Sequence, residues 1–102
     1  MTPEQAAQAL AVQRSRIDTL DLRLLELFNE RALVVQEIGR IKQQVEMPIY
    51  EPKREEEVFR NVLGHNSGPL PNDAVKRLFE RIIDEMRTVQ KKQMERSGGP
   101  GR

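Results

Sequence analysis

ERALVVQEIGRIK, residues 30–42, lies inside a long helical pattern and puts two cations on its apolar side. At about 100° per residue, Leu20, Leu24, Leu27, Val35 and Ile38 share one stripe. Arg31 and Lys42 fall on that stripe too, eleven residues or close to three turns apart, so they point almost the same way. Upstream, Thr2-Pro3-Glu4-Gln5 reads as a helix start: Thr2 caps, Pro3 suits the first helical position, and Gln5 completes a capping box. From there to about Val45 the pattern meets no further proline and a single glycine, Gly39. A helix of some forty residues is about 60 Å long, whereas a compact domain of this chain length is roughly 26 Å across. Such a helix cannot bury its stripe against its own chain alone. The expected architecture is therefore all-α: a three-helix protomer with one very long N-terminal helix, in an intertwined homodimeric bundle.

Downstream, Met47-Pro48 breaks the helical pattern, and Pro48-Ile49-Tyr50-Glu51-Pro52 reads as a short extended connection. A second helix is predicted from about Pro52 to Leu63, with Val58, Phe59, Val62 and Leu63 as its apolar side and Gly64 as its stop. After the loop HNSGPLPN, Asn72 or Asp73 caps a third helix to about Glu95. Its apolar residues are Val75, Leu78, Phe79, Ile82, Ile83, Met86 and Val89. Residues 1–96 read as one domain and 97–102, SGGPGR, as a disordered tail.

Composition narrows the function. A chain of 102 residues, 37% hydrophobic and 32% charged with few aromatics, suits one modest helical domain. A formal net charge of +1 and no Lys/Arg block argue against nucleic acid. The absence of cysteine excludes disulfides, thiolate catalysis and Cys-ligated metal, and the lone His65 sits in a turn-like segment. No N-terminal apolar run reads as a signal peptide or membrane span, so a cytoplasmic location is expected.

Arg31 and Lys42 belong to a larger polar set on apolar faces. Glu55 projects between Phe59 and Val62, Gln90 shares the inner edge of the third helix with Phe79 and Ile83, and Arg14 stands a turn before Ile17. Each has a plainer reading. Arg31 can snorkel or form an interhelical ion pair, Lys42 can reach water near a helix end, Glu55 can pair with either, and Gln90 can face solvent. Together, an excess of inward cations over anions implies an anionic ligand, because buried polar groups are costly unless satisfied. The set lacks a nucleophile, a Ser-His-Asp arrangement, a phosphate loop or a metal-ligand cluster. It suits gripping carboxylates and stabilising negative charge on an oxygen.

Three stretches, RSRIDTLDLRLLELFNERALVVQEIGRIK (14–42), PIYEPKREEEVF (48–59) and RLFERIIDEMRTVQ (77–90), resemble the all-helical class of chorismate mutases over about residues 10–93. The resemblance implies a three-helix protomer in an intertwined dimer. The reaction it implies is the cofactor-free pericyclic rearrangement of chorismate, a dicarboxylate, to prephenate on the way to phenylalanine and tyrosine. It further implies that Arg31 grips a substrate carboxylate, that Lys42 bridges carboxylate and ether oxygen, and that Gln90 donates to the same ether oxygen. Arg14 would reach into the partner subunit's site, Glu55 would accept from the ring hydroxyl, and Arg54 would help order the site. Glu51 stands where the family often has an aspartate near the hydroxyl, and Met86 where some members carry a carboxylate-binding serine.

Two other functions fit parts of the pattern. Isochorismate pyruvate lyase shares this fold and most of these residues, but the Glu51 and Glu55 pair leans toward mutase. The loop NSGPLPND resembles that of mutase domains associated with the enzyme that starts the shikimate pathway. The chain has no room for that second domain, so such an enzyme is expected, if at all, as a separate partner of a regulatory helical dimer.

Overall fold

A computed structural model describes residues 1–97. Three α-helices make up the described chain: α1 Pro3–Gln44, α2 Pro52–His65 and α3 Asn72–Ser97. Ser97, assigned above to the tail, is the last helical residue of α3, and 98–102 lie outside the described residues. Among the described residues no helix is long and apolar enough to cross a membrane.

The start of α1 is the expected capping box. The Gln5 N–H donates to Thr2 Oγ1 at 3.1 Å and the Thr2 N–H donates to Gln5 Oε1 at 2.9 Å. Its end is a Schellman turn: the Met47 N–H reaches the Lys42 carbonyl at 2.9 Å and the Glu46 N–H reaches that of Gln43 at 3.5 Å. Glu46 takes the left-handed position (φ 56°) that glycine usually fills, at a cost of about 1 kcal/mol. The turn reverses the chain beside Lys42, which brings the 48–51 connection back over the helix end.

Pro52 opens α2, and the Glu51 carbonyl accepts the Glu55 N–H at 3.1 Å. The Glu51 side chain makes no capping bond, so its carboxylate is available elsewhere. Gly64 does not stop α2, which continues to His65. The stop comes from Asn66, whose amide donates to the Leu70 carbonyl (2.8 Å) and Asn72 Oδ1 (2.7 Å) and whose Oδ1 accepts from the Gly68 N–H (3.1 Å). The expected cap of α3 is also displaced. The Pro71 carbonyl accepts from Ala74 and Val75, both at 3.1 Å, so Pro71 is the half-in residue. Asn72 is instead committed to Asn66, and Asp73 pairs with Arg77 at 3.4 Å.

By its internal contacts the chain divides into Met1–Leu33 and Val34–Arg102. The first unit is a helical segment with no buried residue; Leu20, Leu24 and Leu27 are 47, 48 and 60% exposed. The second unit packs the end of α1 with α2 and α3 around Val35, Val75, Ile83 and Met86. Val58, Phe59, Val62 and Leu63 of α2 are half-buried against this core. Within this unit two residues of the expected stripes, Ile38 and Leu78, are exposed. The buried row of α1 is Val35, Gly39 and Lys42, spaced four and three, so Gly39 takes the central place expected of Ile38.

Candidate active site

The centre of the second unit is polar. Lys42 is 5% exposed and Gln90 is 9% exposed. The Lys42 ammonium donates to the Ile49 carbonyl at 3.0 Å and to Gln90 Oε1 at 2.9 Å, and it pairs with Glu51 Oε1 at 2.7 Å. A lysine has three N–H donors and no acceptor, so this environment matches its full capacity. The same fact orients Gln90. Only the amide oxygen can face an ammonium, so the Gln90 NH2 is the donor not engaged with Lys42. Burial of an unpaired ammonium is prohibitive, and Glu51 supplies the counter-charge from the 48–51 connection.

Close approach of α1 and α3 makes the pair possible. A Cβ placed at Gly39 would lie 3.4 Å from the Gln90 carbonyl oxygen and 3.6 Å from its Cα. One methyl just fits, and alanine is about 1 kcal/mol better than glycine inside a helix. Gly39→Ala is therefore expected to stay within about 1 kcal/mol of the parent and to keep its activity. Gly39→Val puts two further methyls against backbone that cannot yield, which costs about 1–3 kcal/mol and moves Gln90 off Lys42. Thermal unfolding and turnover of both variants check this; an active, fully stable valine variant would remove Gly39 from the account.

Glu55 is also turned inward, but toward a residue the sequence did not single out. Arg87 Nε lies 3.0 Å from Glu55 Oε2, and Nη2 donates to Oε1 at 3.4 Å. Glu55 and Arg87 border a cavity of about 310 Å3, floored by Phe59 and Ile83 and edged by Lys76. Lys42 and Gln90 are not among the residues lining it. We assign the centre from the buried Lys42–Gln90 pair and its part-exposed counter-ion Glu51, because charge satisfaction there is specific, while the cavity is an open groove.

The structure thus joins Lys42, Gln90 and Glu51, and pairs Glu55 with Arg87. Arg54 is not brought to either group; its Nη1 faces Glu57 at 3.7 Å on the exposed side of α2. Met86 is buried in the core. In the first unit, Arg31 is half-buried and Arg14 exposed. Sequence reasoning missed the Ile49 carbonyl and Arg87. A backbone acceptor has no residue signature. Arg87 reads as an ordinary surface partner of Asp84 three residues before it, and nothing in the sequence points it at Glu55, 32 residues away.

Residues 13–91 match the family model for chorismate mutase type II. The bifunctional chorismate mutase/prephenate dehydratase of Pseudomonas aeruginosa is 44% identical over 79 residues, covering 72% of this chain and 22% of that protein. The chain therefore spans less than a quarter of that relative's length. Chorismate mutase (form II) from Thermus thermophilus superposes with a TM-score of 0.82 at 33% identity, covering 83% of this chain and 97% of that one. Chorismate mutase from Helicobacter pylori in complex with prephenate gives 0.81 at 28% identity, covering 86% and 96%. With the match running through all three helices and taking in both Lys42 and Gln90, this chain belongs to the chorismate mutase type II family.

Proposed function

We propose that residues 1–96 form a chorismate mutase, which rearranges chorismate to prephenate in the synthesis of phenylalanine and tyrosine. The observation that carries this reading is the buried ammonium of Lys42, held 2.9 Å from the oxygen of the buried Gln90 amide, which sets a cation and an amide in one buried cluster. In the reaction the ether C–O bond breaks as a new C–C bond forms, within one cyclic shift of electron pairs. No proton leaves or enters. The protein has to hold the compact conformer and meet the negative charge growing on the ether oxygen. Lys42 and the Gln90 NH2 are preorganised donors in a water-poor setting, which is where such donors are worth most.

All three Lys42 donors are already engaged, so substrate has to take the place of one acceptor. Glu51 is the one to yield: its side chain is 39% exposed and leaves the centre for water at little cost. Arg31 supplies a fork for a substrate carboxylate, and Glu55 accepts from the ring hydroxyl.

The reading includes a homodimer. Leu20, Leu24 and Leu27 expose a row of large apolar side chains that no part of a single described chain covers. A two-fold pairing of the long helices buries it and carries Arg14 into the partner's site, giving two shared sites per dimer. Docking of a separate shikimate-pathway enzyme would be an addition to this dimer, with no residue here assigned to it.

Incubation of the pure protein with chorismate, followed by identification of the product, tests the reading. Prephenate is the expected product. Release of pyruvate from isochorismate, with no turnover of chorismate, would move the assignment to the lyase that shares these residues.

A further inference from the structure

Arg87 joins three elements. Its guanidinium contacts Glu55 of α2 at 3.0 and 3.4 Å and Asp84 of its own helix at 2.9 Å. It also lies 5.5 Å from the centre of the Tyr50 ring, in the connection before α2. These contacts differ in kind. Asp84 is 60% exposed and three residues away on one helix, the sort of surface pair that contributes little. Glu55 is 21% exposed and belongs to another helix. Arg87 Nε is itself fully buried, close to Glu55 Oε2 but not aligned for a hydrogen bond, so a buried N–H is held there by charge rather than by ideal geometry.

A two-point contact from an arginine fixes the plane of a carboxylate as a single lysine cannot. A carboxylate has about four lone-pair positions, and Arg87 engages one oxygen by hydrogen bond and the other by charge. Glu55 and Arg87 both line the open groove, so the braced carboxylate stands at its edge. Tyr50 directly precedes Glu51, the counter-ion of Lys42. One guanidinium therefore braces Glu55 directly and also packs on Tyr50, in the connection that leads into α2.

We propose that Arg87 is a positioning residue: it sets the Glu55 carboxylate to accept the ring hydroxyl of the substrate. The inference rests on the mutase reading above. Its signature is loss of recognition for the hydroxyl and not for the rest of the substrate. The hydroxyl sits on the carbon next to the breaking C–O bond but takes no part in the bonds that break and form, so the loss falls on KM more than on kcat.

The test uses the full chain and compares the parent protein, Arg87→Ala, Arg87→Lys, Glu55→Ala and the Glu55→Ala/Arg87→Ala pair. Substrates are chorismate and its analogue lacking the ring hydroxyl. Arg87→Ala is expected to raise KM for chorismate about tenfold, the scale of one hydrogen bond to a charged group, with kcat changed less than about threefold. On the deoxy analogue it should match the parent within about twofold, and in the Glu55→Ala background it should add nothing. Arg87→Lys, which keeps the charge and spares the fold, should lose the same discrimination in smaller measure. An equal penalty on both substrates, or an undiminished penalty without Glu55, overturns the inference and leaves the mutase reading intact. A parent protein that makes no prephenate overturns both.

Discussion

Lys42→Ala is expected to lower kcat/KM for chorismate about a thousandfold, the loss that follows removal of one preorganised donor from a developing oxyanion. That corresponds to about 4 kcal/mol of transition-state stabilisation. The fall should appear largely in kcat, because the ether oxygen carries its full charge only as the bond breaks. Stability should change far less. The substitution leaves Gln90 Oε1 without its donor, at about 1–3 kcal/mol. It also removes the desolvation of a buried ammonium, which acts in the opposite sense. Glu51, already part-exposed, turns to water. Steady-state kinetics beside thermal unfolding separate the two effects. A kcat within tenfold of the parent would take Lys42 out of the transition state and return it to the role of a buried structural cation.

Leu24→Glu is expected to dissociate the proposed dimer and abolish most activity. Leu24 sits mid-way along the exposed apolar row of α1, between Leu20 and Leu27. In a two-fold interface the change enters twice. At about 3 kcal/mol for each poorly solvated carboxylate, the dimer loses about 6 kcal/mol, or roughly four orders of magnitude in Kd. If Arg14 is shared between subunits, the separated protomers have incomplete sites, so turnover falls with dimer content and recovers at high protein concentration. Light scattering and activity across a dilution series measure both quantities on one sample. A Leu24→Glu protein that stays dimeric, or a monomer as active as the parent, would remove the row from the interface.

Much of this was legible in the residues because helix periodicity converts spacing directly into facing. The uninterrupted run after Pro3 dictated the long α1, Pro48 and Pro52 bounded the connection, and Thr2 with Gln5 specified the first cap atom for atom. The inward placement of Lys42 and Gln90 followed from the same arithmetic, since a polar residue at a row's spacing shares the facing of that row. Tertiary structure decided what that arithmetic does not contain. Gly39 rather than Ile38 became the centre of the buried row, because contact of α1 with the Gln90 backbone leaves room for no side chain larger than a methyl. Asn66 rather than Gly64 ended α2, because its amide found acceptors four and six residues ahead. The Schellman turn at Glu46 returned the Ile49 carbonyl and the Glu51 carboxylate to Lys42, and Arg87 met Glu55 across two helices. A single helix carries its own periodicity within its sequence, but the partners of a charge are chosen by how separate segments converge, and only the folded chain brings Gln90 to 2.9 Å and Glu51 to 2.7 Å from the Lys42 ammonium.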